Sequence, residues 1–401
     1  MKNERLLLLL LAAAMFTHIL DFMIMMPLGP QLLSIFHITP FEFSLLVGSY
    51  SLTAGIAGFF GAFLIDRYDR RNSLIFIYAG FSIGTLACAF APTYEVLLLA
   101  RSLAGTFGGV LGALVLSMVS EAIPLERRAK AIGTVMASFG MASVAGVPLG
   151  LFIASQSTWH APFILLGSLG VVITIMMLRY IPSMIAHKQT TPNSPRQVLS
   201  QIFGNKNTRL GLTFSAVLMM GHFMIIPLYA TYMVGNIGFS KSQLAYLYLV
   251  GGTCTMIFSP WVGRMADKHG RLKIFTIFGS LVIIPILLIT NLTTISLLIA
   301  LLITAIFFIF SNGRMVPSTT METALVSPDL RGSYMSIRSA VQQFSSGIAT
   351  FLAGMIIQEK PSLINLGEKA LVNYQYVGFI AVFFSLLSLY VARKLTVVQG
   401  A

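Results

Sequence analysis

The chain alternates long apolar runs with short polar breaks. Twelve apolar segments can be drawn, at approximately 6–36, 43–65, 74–91, 94–120, 130–154 and 159–181, then 208–235, 242–263, 272–290, 294–321, 332–357 and 372–392. They are called spans 1 to 12 below. An α-helix rises about 1.5 Å per residue, so roughly 20 residues cross the hydrocarbon layer of a bilayer. The pattern therefore predicts an all-α membrane protein of twelve transmembrane helices. The one long polar interval, 182–207, holds Pro182, Pro192 and Pro195 among Ser, Thr, Asn and Gln. It reads as a cytoplasmic hinge between two six-helix halves, 1–181 and 208–401.

Charge orients these spans. Cytoplasmic loops of membrane proteins collect Lys and Arg. With the N-terminus inside, the inner side receives Arg67, Arg70, Arg71, Arg127, Arg128, Arg264, Lys268, Arg271 and Lys273 among others. The outer side receives only Lys241, Lys360 and Lys369. One missed or extra span would mix the two sets, so both termini are expected in the cytoplasm. The 401 residues are 56% hydrophobic and 10% charged, against about 25% charged in soluble domains. Nearly all of the chain must then sit in lipid, in a plasma membrane, or the inner membrane of a bacterium. The net charge of +13 follows from the basic inner loops, and no nucleic-acid partner is expected. Cys88 and Cys254 lie inside apolar runs and read as core residues rather than metal ligands. Lys2 and Arg5 before Leu6–Leu11 mimic a signal peptide, but the apolar run continues past Met26, as an uncleaved first span would.

The halves repeat one another. Asp21-Phe22-Met23-Ile24-Met25-Met26-Pro27-Leu28 in span 1 matches His222-Phe223-Met224-Ile225-Ile226-Pro227-Leu228 in span 7. Asp66-Arg67 after span 2 matches Asp267-Lys268 after span 8. Asp21 and His222 are 201 positions apart, as are Asp66 and Asp267. Parallel six-helix halves place a substrate near the membrane midplane, at their interface.

Four stretches carry a family resemblance. The loop Gly61-Ala62-Phe63-Leu64-Ile65-Asp66-Arg67-Tyr68-Asp69-Arg70-Arg71 and the loop Gly263-Arg264-Met265-Ala266-Asp267-Lys268-His269-Gly270-Arg271 resemble the signature G-x-x-x-D-[RK]-x-G-R-[RK] of the major facilitator superfamily. The first copy departs from it, with Ala62 and Asp69 at the glycine positions. Arg101-Ser102-Leu103-Ala104-Gly105 in span 4 resembles the R-x-x-x-G motif of proton-coupled members. Gly140 to Gly150 in span 5, ending Gly146-Val147-Pro148-Leu149-Gly150, is similar to the antiporter motif of drug:proton antiporters. Its form is nearest to sugar, purine and drug efflux permeases, with Val147 interrupting the usual Gly-Pro pair. The resemblance runs from span 1 to span 12. It implies a twelve-helix facilitator fold working as a monomer, with no cofactor but a proton gradient, and a small molecule exported in exchange for protons. Uptake by symport or facilitated diffusion on the same fold is the alternative, and a membrane-embedded enzyme the remote one. No G-x-x-x-x-G-K-[ST] nucleotide loop occurs in the sequence, and no H-E-x-x-H pattern.

Charges inside a bilayer are expensive and tend to be functional. Asp21 lies about 22 Å along span 1 from its inner start, and Arg101 about 10 Å below the outer start of span 4. These depths nearly coincide in a layer about 30 Å thick. His222 reaches a similar level, and His18 sits one turn from Asp21 on the same face. Asp21, Arg101, His18 and His222 are therefore candidates for proton coupling in a central cavity, or Asp21 and Arg101 form a permanent pair that orders the helices. Arg314 near midplane, Arg338 with Gln342 on span 11, and Tyr229 and Tyr232 on span 7 are candidates for substrate contact, or for helix packing. Asp66, Arg70, Arg71, Asp267 and Arg271 on the inner loops, with Gly146, Pro148 and Gly150 in span 5, are candidates for conformational gating. Three deep arginines face Asp21 alone, with Glu322 placed near the inner end of span 10. That tally predicts a net positive cavity that favours neutral, zwitterionic or anionic substrates.

Overall fold

In the computed structural model, which describes residues 4–64, 68–185, 195–362, 364 and 369–396, every predicted span is helical. Span 1 is Glu4–Ile24 and Gly29–Phe36, span 2 Pro40–Leu64, span 3 Arg70–Ala89 and span 4 Tyr94–Ala122. Span 5 is Leu125–Met141 and Val147–Gln156, and span 6 is His160–Tyr180. The second half follows as Lys206–Phe223 with Ile226–Gly235, Lys241–His269, Arg271–Leu281 with Ile283–Thr290, Leu297–Thr323, Pro328–Ile356 and Tyr374–Ala392. Among the described residues, ten helical stretches are long and apolar enough to cross a membrane. Spans 8 and 11 fall outside that set because they carry more polar side chains.

Prolines set the breaks. Spans 1 and 7 are interrupted just before or at Pro27 and Pro227, because proline donates no backbone hydrogen bond and its ring crowds the preceding turn. In span 5, Pro148 follows a π-helical turn over Ala142–Gly146, which re-registers the backbone around the missing donor. Large apolar side chains such as Phe76 (69% exposed) and Leu99 (71% exposed) point outward. In lipid they need no burial.

The two halves meet differently at their two ends, the basic end, where the Lys- and Arg-rich loops lie, and the far end. At the far end both halves share one core, with Ile24, Leu28, Phe43 and Val147 packed among Ile225, Tyr229, Leu244 and Ala353. At the basic end two clusters each stay within one half. Leu7, Leu114 and Met177 belong to the first half, and Phe214, Phe275 and Met321 to the second. Phe59 and Phe63 of span 2 lean on a third cluster around Leu325 and Tyr334. Small residues make the crossings between halves. A Cβ on Gly55 would lie 2.9 Å from the Phe344 backbone nitrogen, and one on Gly252 would lie 2.6 Å from the Ser143 carbonyl oxygen. Helices in lipid associate through such close packing rather than through hydrophobic exclusion.

Two features differ from the sequence expectation. The interval 182–207 contains a helix, Pro195–Gly204, whose Val198 and Ile202 pack on Leu325 and Tyr334. Pro195 at its first position and the i, i+4 apolar pair explain it. Secondly, the structure is not wholly helical. Gln358–Pro361 pairs antiparallel with Lys369–Val372 between spans 11 and 12. This hairpin docks on the end of span 7. The Asn236 side chain donates to the Leu371 carbonyl and accepts from its N–H, both at 2.8 Å, and Ser362 donates to the Gly235 carbonyl at 2.7 Å. A Cβ on Gly235 would lie 2.1 Å from the Lys369 carbonyl oxygen, so only glycine permits the docking.

Candidate transport site

Where the cores separate, a cavity of about 800 Å³ opens at the basic end, chiefly between spans 4 and 11. Ser117, Ser120, Ser336, Ser339, Gln342 and Gln343 put hydroxyls and amides on its wall beside the apolar Met15, Leu116, Met136 and Met335, with His18 at its deep end and Arg70, Glu121 and Arg338 on its sides. Each of those arginines has a carboxylate partner. Arg70 Nε lies 2.7 Å from Glu121, and Arg338 Nε donates to Glu322 at 2.6 Å. The far end is closed by the shared core and the hairpin.

Below the cavity floor lies the Asp21–Arg101 pair. Arg101 Nη1 meets the Asp21 carboxylate at 2.8 Å, and both side chains are 0% exposed. Thr85 donates to the other Asp21 oxygen at 3.2 Å. The Arg101 guanidinium also lies 4.4 Å from the Tyr50 ring centre, a favourable cation–π placement. The Tyr50 hydroxyl is 2.9 Å from His18 Nδ1. Tyr50 and His18 thus stand between the buried pair and the cavity. Gly108 makes room for them, since a Cβ there would lie 2.4 Å from the Tyr50 hydroxyl. The expectation that Asp21, Arg101, His18 and His222 share one cavity is corrected. Only His18 lines it, while Asp21 and Arg101 are sealed beneath and His222 bonds Ser311 at 2.9 Å inside the second half.

Of the residues expected to contact substrate, Arg338 and Gln342 line the cavity. Arg314 does not. It is fully buried and donates to Ser385 of span 12 at 3.0 Å. Tyr229 and Tyr232 also stand apart, packed in the far-end core. Their hydroxyls are taken by Thr304 at 2.6 Å and the Leu292 carbonyl at 2.8 Å. The charge tally changes as well. Glu322 is fully buried and neutralises Arg338, so Asp21 is not the only deep carboxylate and the cavity wall is not net positive through Arg338.

Of the gating candidates, Arg70, Arg71 and Arg271 are anchored within their own halves. Arg71 donates to the Leu178 carbonyl at 2.6 Å and Arg271 to the Thr320 carbonyl at 3.3 Å. Asp267, in the last turn of span 8, and Arg271 line a second pocket at the basic end. Asp66 lies outside the described residues. Asp69, which replaces a motif glycine, has a definite task. It caps span 3 by accepting the Arg71 N–H at 2.9 Å, and ties span 3 to the chain leaving span 6 through the Met184 N–H at 2.9 Å and the Ser183 hydroxyl. Burial alone would raise its proton affinity. The hydrogen bonds from Ser183, Met184 and Arg71, with the Arg71 charge, outweigh that and hold its carboxyl below the usual range. Gly146 and Gly150 face span 1, where a Cβ would come within 2.8 Å of Leu20 and 2.7 Å of Ile24.

Sequence reading missed Tyr50, Asp69 and Glu322 as site residues. Tyr50 carries no signal, being one tyrosine in an apolar span. Asp69 was visible as a departure from the motif.

The sequence profile of the Major Facilitator Superfamily matches residues 11–350 and 211–399. An uncharacterised MFS-type transporter of Bacillus subtilis, YceJ, is 23% identical over 84% of this chain and 86% of its own length. A probable sugar efflux transporter of Helicobacter pylori is 21% identical over 88% of this chain and 85% of its own. Among solved structures, a D-xylose-proton symporter superposes with a TM-score of 0.77 at 17% identity, over 96% of both chains. With the family profile covering nearly the whole length, the two repeated halves and the cavity between them, the chain is a transporter and belongs to the Major Facilitator Superfamily.

Proposed function

We propose that the protein exports a small, neutral, polar molecule from the cytoplasm in exchange for protons, with the basic end cytoplasmic. The observation that carries this reading is the cavity itself. It opens at the basic end, its wall offers hydroxyls and amides, and its arginines are matched by carboxylates. A buried Asp21–Arg101 pair lies beneath it, behind Tyr50 and His18. Such a wall can bind a polyhydroxylated solute by hydrogen bonds without favouring a charge. The similarity to a probable sugar efflux transporter supports the same class of solute.

Asp21 supplies the proton step in this reading. The charge on a buried carboxyl depends on how closely its cation stays beside it. Opening the far end moves the half-helices around Pro27 and separates or hydrates the pair, so Asp21 takes a proton from outside. Closing it restores the contact with Arg101 and sends the proton to the cytoplasm by way of Tyr50 and His18. The test uses purified protein in liposomes, with labelled neutral sugars as probes. An imposed proton gradient should drive sugar against the proton flow. Sugar moving with the protons would replace exchange with symport. Sugar movement indifferent to the gradient would replace it with facilitated diffusion.

A further inference from the structure

Glu121 and Glu322 stand 201 positions apart, the offset that relates the two halves, and so do Arg70 and Arg271. In the first half the repeat is intact, because Arg70 pairs with Glu121. In the second half it is rewired. Arg271 turns to the Thr320 carbonyl, and Glu322 pairs instead with Arg338, Nη2 to Oε2 at 2.5 Å. The repeat position of Arg338 in the first half is Ala137, so this arginine has no counterpart there. Glu322 is 0% exposed, whereas Arg338 keeps a small exposed edge on the cavity wall. The groups facing Glu322 are Ser215 of span 7, which donates to its second oxygen, and Arg338 and Tyr334 of span 11. Arg338 also reaches Thr319, one turn back on span 10, at 3.4 Å.

We propose that Glu322 is a second proton-binding site of this protein, reached from the cavity past Arg338, and that its charge decides whether the cavity wall presents a bare cation. With Glu322 ionised, Arg338 is neutralised and held to the wall. A proton from cavity water, placed on Glu322, leaves the Arg338 guanidinium uncompensated in a poorly screened site. A neutral solute then binds best when Glu322 has lost its proton, which is the sense that exchange requires. That last step rests on the efflux reading; the proton site does not.

The experiment is therefore made without substrate. Infrared difference spectra of the purified full chain are recorded between alkaline and acidic pH. A protonated-carboxyl band assigned to Glu322 should vanish in Glu322→Gln and persist in Asp21→Asn. In Arg338→Gln the same band should appear at a higher pH, by roughly one unit, because the cation that favours ionisation is gone. This variant keeps the carboxyl and serves if Glu322→Gln does not fold. A spectrum unchanged by Glu322→Gln, or a band unmoved in Arg338→Gln, overturns the proposal. Failure of sugar exchange in liposomes would leave these spectra as they are.

Discussion

At the residue scale the deciding feature is a carboxylate that cannot leave its partner without consequence. Removing one member of a buried ion pair typically costs about 3–5 kcal/mol, since the other is left uncompensated. Arg101→Leu should therefore lower the thermal unfolding temperature sharply. Asp21→Asn removes the counter-charge of Arg101 as well, but its amide oxygen still accepts from Arg101 Nη1 and the Tyr50 ring still faces the guanidinium, so this variant should remain folded. It should exchange labelled sugar for unlabelled sugar yet fail to respond to a proton gradient. Full gradient-driven transport by Asp21→Asn would remove Asp21 from the mechanism. The pairing of Asp21 with Arg101 was legible in the sequence because depth along a helix is a count of residues. Which way a side chain points around a span is harder to read. The Arg338 and Gln342 stripe on span 11 is readable from its i, i+4 spacing, but most faces of a span in lipid are apolar, so periodicity gives little warning that Arg314 turns to Ser385 instead. Nor does sequence distance show that Glu322 reaches Arg338 sixteen residues on, since that contact depends on how spans 10 and 11 pack.

At the scale of elements, the spans were legible from apolar length, and their internal breaks from proline. The hairpin was not, because four residues per strand leave no periodic trace. The role of Asp69 was also hidden, since capping geometry depends on where the end of span 6 lies. Loss of such a cap costs about 1 kcal/mol, so Asp69→Ala should lower thermal stability by a few degrees near neutral pH. The sign with pH follows from its lowered folded-state value. The contribution is present above the unfolded carboxyl value of about 3.9 and is lost as pH falls through the lower folded one. Wild type and Asp69→Ala should therefore converge in stability only below about pH 4; convergence already at neutral pH would show that Asp69 does not stabilise this end of span 3. Gly252 gives a second test. A side chain there meets the Ser143 carbonyl at the π-helical turn of span 5, so Gly252→Val should pry spans 5 and 8 apart. A shift of about 1.4 kcal/mol would raise the far-end-open population tenfold. Spin labels at 155 and 241 should move apart in this variant, and an unchanged distance would mean that the seam is not the closing contact.

At the scale of the whole molecule, one shared core at the far end and separate cores at the basic end leave the charges in pairs, on the cavity wall or beneath its floor. Arg101 faces Asp21, Arg338 faces Glu322 and Arg70 faces Glu121. Arg314 is set apart from the cavity wall in the second half, against Ser385. A wall balanced in this way has little electrostatic preference between an anion and a cation, and much hydrogen-bonding capacity. Its ligand preference should then follow hydroxyl groups rather than charge. Attraction between a charged ligand and charged wall groups weakens as salt rises, because ions screen it over about 10 Å at 0.1 M. Binding of a neutral solute lacks that dependence. Ligands that bind only the folded state raise its unfolding temperature, so the comparison can be read as thermal stabilisation of purified protein. Neutral sugars should stabilise the protein more than organic anions or lipophilic cations of similar size, and raising the salt from low to molar concentration should leave the sugar effect within about twofold. Arg314→Ala should leave it unchanged too, because that side chain does not line the cavity. Strong, salt-sensitive stabilisation by a lipophilic cation would show instead that the carboxylates, not the hydroxyls and amides, select the substrate.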